Sequence, residues 1–150
     1  MPNKFVVANI GTRMCAFPVS SVSETIRPPR TTPLPASPPF ISGAAMVRGG
    51  LIVVVDGHRL LGEVEGTAQR MLVLKSGARS FGLTVDSVSG LVEIEEEESG
   101  SELDPLLPHI TSDWVERLIK LDASFATVLA SGRIVPASVW QALREIGRHE

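Results

Sequence analysis

The groups in this chain that could catalyse or bind a metal are three histidines, one cysteine and 17 acidic residues, and their spacing builds none of the usual constellations. His58, His109 and His149 are far apart, with no HExxH pair and no Cys–His set at zinc-ligand spacing. His58 and His109 fall in predicted turns, and His149 reads as solvated. Cys15, in the run Met14-Cys15-Ala16-Phe17, reads as a small apolar side chain rather than a nucleophile. As the only cysteine it excludes an intramolecular disulfide and suits a reducing compartment. Asp56-Gly57-His58 lacks the hydroxyl residue of an aspartic-protease turn, and no glycine-rich loop follows a strand and opens a helix to cradle a phosphate. This pattern implies no enzyme, no metal and no cofactor. The chemistry that remains is recognition. Arg48 stands alone between Val47 and the flexible Gly49-Gly50, where a guanidinium can fork onto a carboxylate or a helix-end carbonyl. The competing use of Arg48 is an internal salt link, with Glu24 as the candidate partner.

The elements that must position such a group are mostly strands. Apolar runs of five to eight residues, rich in Val and Ile, alternate with Gly, Ser, Pro and Asp. They predict strands near Phe5–Ile10, Arg13–Pro18, Ser23–Arg27, Leu51–Val55, Arg70–Lys75, Ser80–Val85, Gly90–Glu95, Val115–Leu121 and Phe125–Ala130. One helix is expected at the end, where Val139, Trp140, Leu143 and Ile146 share a face, Pro136 opens it and Gly147 caps it. Residues Arg27 to Phe40 hold six of the eleven prolines, which makes them a semi-rigid crossover from one sheet edge to another. The acidic run Glu93-Ile94-Glu95-Glu96-Glu97-Glu98 starts as a strand end with Ile94 inward and becomes a solvated loop. A net charge of -3 without a Lys/Arg stripe argues against nucleic acid. Leu51–Val55, the longest aliphatic run, falls far short of the ~20 residues of a membrane span. The first residues lack the basic-then-apolar order of a signal peptide. A cytoplasmic protein without membrane insertion is the expectation.

Slid against itself by 66 positions, the chain brings Gly11, Arg13, Val19, Ser21, Val22 and Ser23 onto Gly77, Arg79, Val85, Ser87, Val88 and Ser89. The same shift places Phe5 on Met71, Val7 on Val73 and Asp56 on Asp122. Two similar units follow, starting near Phe5 and near Met71, each a strand, a Gly-centred turn, a strand and a bend into a third strand. A unit of roughly 65 residues buries little alone, so the pair must share a core, as two small barrels within one domain spanning 1–150.

The block Thr32-Pro33-Leu34-Pro35, Pro38-Pro39-Phe40, Gly43, Met46-Val47-Arg48-Gly49 and the apolar strand to Asp56 resembles the CheW-like family, the coupling proteins of bacterial chemotaxis arrays. The likeness extends back through Phe17-Pro18-Val19 and Val22-Ser23-Glu24 and forward through Phe81 to Val88, covering about Phe5 to Ala130. The resemblance implies a mainly β fold of two intertwined five-stranded SH3-like barrels. It implies a non-enzymatic adaptor with two partners, the regulatory domain of a CheA-type histidine kinase and the cytoplasmic tip of a chemoreceptor, hence recruitment to membrane receptor arrays. Carried over by position, it implies a receptor-side role for Val22, Glu24, Gly43 and Arg48, and a kinase-side or inter-barrel role for Gly82 and Val85. The sequence departs from the family pattern at Met46, Val53 and Gly57, where asparagine, proline and leucine are expected, and at Ala130-Ser131-Gly132. Such departures suit coupling to another receptor class or to surface motility. The alternative is a small barrel that reads an extended or proline-rich peptide outside signalling arrays; it needs an aromatic-lined groove, and Trp114 and Trp140 lie far from the prolines in sequence.

Overall fold

The computed structural model describes residues 3–63, 68–94, 114–121 and 123–148. Among these described residues, ten strands make two five-stranded sheets. The first sheet has the order β8-β1-β2-β10-β9, built from Ser87–Ile94, Asn3–Ile10, Arg13–Pro18, Phe125–Leu129 and Val115–Lys120. The second has the order β3-β6-β7-β5-β4, built from Val22–Ile26, Arg70–Ser76, Arg79–Val85, Gly50–Asp56 and Ile41–Val47. Each sheet borrows from the other half of the chain: β3 leaves β2 to pair with β6, and β8 leaves β7 to pair with β1. The two sheets are therefore intertwined, mainly β and five-stranded as the resemblance implied, but each ladder runs between two end strands rather than closing as a ring.

Two elements differ from the sequence-based expectation. Strand β4 was not foreseen, because Ser42-Gly43-Ala44-Ala45 lacks the β-branched residues that mark a strand. His58 lies not in a turn but in a short helix, α1 (Gly57–Leu61), whose N-terminus is capped by Asp56 accepting from the His58 and Arg59 amides. His109, His149 and residues 95–98 lie outside the described residues.

The ladders repeat in detail. Val7 pairs with Ala16, and Val73, 66 positions on, pairs with Gly82, 66 positions beyond Ala16. Phe5 pairs with Val92 as Met71 pairs with Ile26, and both ladders shift by one residue at matching places, Val7/Ala8 and Val22/Glu24. For the last two strands of each half the offset becomes 74: Ala45 pairs with Ile52 as Ile119 pairs with Ala126. The parallel contacts agree, since Val53 lies beside Phe81 and Thr127 beside Cys15. Asp56 thus corresponds to Ala130 and not to Asp122, because equivalent positions lie eight residues further apart in the second half, Val88 to Val115 against Val22 to Ile41.

Strand alternation sorts the apolar residues into three cores. Phe5, Val7, Ala16, Ile119, Ala126 and Val128 fill the first sheet's own core, and Met71, Val73, Ala45, Ile52 and Val54 fill the second's. The opposite faces meet in one shared core that includes Cys15, Phe17, Leu74, Phe81 and Val85. Helix α2 (Ala137–Arg148) closes this shared core with Val139 and Trp140, both buried. The α2 helix runs through Gly147 instead of being capped by it.

Candidate functional site

Arg48 and Gly49 are the two central residues of the β4–β5 hairpin, which closes at the Val47–Gly50 pair. Their φ angles, 52° and 80°, are both positive, the mark of a type I′ turn. Such turns favour Asn-Gly; arginine in the first position holds a conformation that L residues rarely adopt. The hairpin nonetheless aims the guanidinium back across the sheet. Arg48 Nε donates to Glu24 Oε2 at 2.8 Å and Oε1 at 3.0 Å, and Nη2 donates to Oε1 at 2.9 Å. Glu24 lies on β3 and Arg48 beside β4, the two end strands of the same sheet, so the pair spans the seam where the ladder stops. A second tie crosses nearby: Thr32, in the proline crossover, exchanges two 2.8 Å main-chain hydrogen bonds with Ala44 on β4. The crossover therefore runs from one edge of the second sheet to its opposite edge.

The Arg48 side chain stays 76% exposed while Glu24 is 26% exposed, so the pair presents a guanidinium and shelters a carboxylate. The hydrogen bonds from Arg48 hold the Glu24 carboxyl below its ordinary range, and Glu24 in turn raises Arg48. Arg48 is thus surface-exposed and internally paired at once.

The other sequence-derived site residues divide. Val22 is half-buried at the start of β3 and packs on the shared core, two residues from Glu24. Gly43 is buried and presents no surface of its own, which corrects the expectation that it lines an exposed patch. Its φ of 143° and its contact with the crossover explain the residue type, because a Cβ there would collide with the Thr32 carbonyl. Gly82 and Val85 are both buried in β7 but face different cores. Val85 lies in the shared core between the sheets, while Gly82 faces the second sheet's own core, where a Cβ would strike the Met71 thioether. Neither offers an exposed side chain to a kinase.

Sequence reasoning did not find the pairing of His58 with Asp86. His58, 3% exposed, places Nε2 2.9 Å from Asp86 Oδ1, and Asp86 Oδ2 accepts from the Gly11 amide at 2.7 Å. These bonds pin α1 to the β1–β2 turn. Cys15 is fully buried and burial pushes its thiol up to about 12, as befits a core side chain. Trp140 is spent on the core, 7% exposed and edge-on to Phe81, so it is not available to an aromatic peptide groove. Among the described residues, no three His, Cys, Asp or Glu side chains converge as a metal site, and no helix is long and apolar enough to cross a membrane.

The CheW-like domain model matches residues 4–138. The chain belongs to the CheW-like family. Among the relatives of this CheW-like chain, Protein FrzA of Myxococcus xanthus is 33% identical over 94 residues, 61% of this chain and 59% of that protein. Protein PilI of Pseudomonas aeruginosa is 31% identical over 100 residues, 65% of this chain and 56% of that protein. The chain thus spans less than two thirds of the length of these two relatives. The crystal structure of the scaffolding protein TtCheW from Thermoanaerobacter tengcongensis has a TM-score of 0.75 at 24% identity, covering 86% of this chain and 89% of that one, a likeness of fold. The family match ends at residue 138, so nearly all of α2 lies beyond it.

Proposed function

We propose that this CheW-like chain is a non-catalytic adaptor that couples chemoreceptors to a CheA-type histidine kinase, in chemotaxis or in related motility signalling. The exposed Arg48, held by Glu24 across the seam of the second sheet, is the observation that carries the proposal. A side chain that only braced the sheet would gain nothing from remaining 76% exposed in a positive-φ turn. The receptor side is the patch of Val22, Glu24 and Arg48, with Gly43 acting through the fit of the crossover above it. On the kinase side, Gly82 and Val85 act by setting how the sheets pack and not by touching the partner. The organisation into one domain of two units, starting near Phe5 and near Met71, is supported by the repeated registers. Recruitment to membrane receptor arrays follows from receptor binding.

The test is the Arg48→Gly variant, because glycine accepts the positive φ and the side chain is removed without strain in the turn. Binding is measured to receptor cytoplasmic fragments displayed on vesicles and, separately, to the kinase regulatory domain. The variant should bind receptor at least about tenfold more weakly while holding the kinase unchanged. Loss of both partners together, or of neither, overturns the assignment.

A further inference from the structure

The repeated registers expose one place where the two sheets end differently. Gly43 pairs with Val54, and the position 74 residues on, Arg117, pairs with Val128. At Gly43 the space a side chain would enter is taken by the Thr32 carbonyl oxygen. At Arg117 the chain instead carries a guanidinium, centred 5.8 Å from the Phe5 ring. Its Nε is buried and has no acceptor among the described residues. A charged donor left without an acceptor is costly, and the second sheet, at the same register, has an oxygen in that direction.

Beside Arg117 lies a cavity of about 410 Å³, within the size range of small-ligand sites. Its apolar wall includes Phe5, Pro18 and Val19, the last 41% exposed. Lys4 and Arg117 supply two positive charges to the lining, and Glu116, exposed on β9, is its only acid among the described residues. The balance favours one negative charge on a ligand with an apolar body. We propose that this open end of the first sheet binds a carboxylate carried on a short apolar chain, the carboxylate accepting from the Arg117 guanidinium where it lines the cavity. The carboxylate belongs either to a free small acid or to an acidic side chain of a partner segment. This site is separate from the Glu24–Arg48 patch and does not rest on the adaptor reading.

The full chain, labelled with ¹⁵N, is titrated with sodium hexanoate while the Arg117 Nε–H resonance and the amides of Lys4 and Ser20 are followed. Saturable shifts are expected with a half-point of about 1 mM, reasonable for a ligand of so few atoms. Inorganic phosphate and hexan-1-ol, each lacking one half of the chemistry, should give no saturation. Arg117→Gln should weaken hexanoate at least about tenfold, and Lys4→Gln, at an exposed position, about threefold. The peptide acetyl-Val-Glu-Val-amide is run in parallel. Tighter binding of the peptide than of hexanoate assigns the site to a partner's acidic side chain, and the reverse order to a free acid. Shifts that stay linear, that match those of phosphate or hexanol, or that persist in both variants overturn the proposal.

Discussion

Trp140→Ala tests whether α2, which lies almost wholly beyond the family match, is part of the folded domain. The indole is 7% exposed and packs edge-on to Phe81, with ring centroids 6.5 Å apart and planes at 76°. Arg79 lies 5.1 Å from its centroid on the outer side. Removing a buried aromatic of this kind costs about 3–5 kcal/mol, through lost transfer energy and the cavity left behind. Of that, the pairing with Phe81 supplies about 0.5–1.5 kcal/mol and the Arg79 contact about 0.5–1 kcal/mol. For a domain of this size each kcal/mol moves the melting temperature by about 2–4 °C, so the variant should melt roughly 6–20 °C lower. Urea unfolding followed by far-UV circular dichroism measures the free energy directly, and Trp140→Phe should recover more than half of it because the apolar contact with Phe81 is kept. A loss below about 1 kcal/mol with an unchanged urea slope would mean that α2 is not docked on the shared core, and the reasoning from burial would fail.

Gly43 and Gly82, both buried, should differ in their response to alanine. Gly43→Ala drives a methyl into the Thr32 carbonyl at a φ of 143° and should cost more than about 2 kcal/mol by urea unfolding. Gly82→Ala meets the pliable Met71 thioether and should cost about 1 kcal/mol; equal costs would refute the distinction. Cys15, raised from 9.0 to about 12 by burial, holds its proton in the folded state where the unfolded chain has lost it. Its linkage therefore lowers stability as pH rises from about 9 to about 12, and Cys15→Ala should flatten the alkaline fall relative to the parent protein. Iodoacetamide should modify Cys15 only after unfolding, and rapid labelling of the native protein would contradict its burial.

Much of this architecture is written in local pattern. Alternating apolar runs define the strands because each pleat sends successive side chains to opposite faces, and the three-and-four spacing of Val139, Trp140, Leu143 and Ile146 marks the buried face of α2. The 66-residue repeat is visible in Gly11 and Gly77 because both hairpins need a positive φ, 59° and 62°, and glycine supplies it. Strand β4 escaped notice because Gly43, Ala44 and Ala45 are small to suit the crossover above and the core below, a requirement that no local propensity records. What only the tertiary structure decided is which edges meet. Periodicity states that a strand has two faces but not which sheet it joins, so the exchange of β3 and β8 between the halves and the change of offset from 66 to 74 appear only in the ladders. Glu24 and Arg48 lie 24 residues apart, on opposite ends of one sheet, and they meet because that sheet bends until its edges face each other across the proline crossover. The residue types along the chain determined that an arginine would stand at an exposed turn; the curvature of the sheet determined which carboxylate would hold it there.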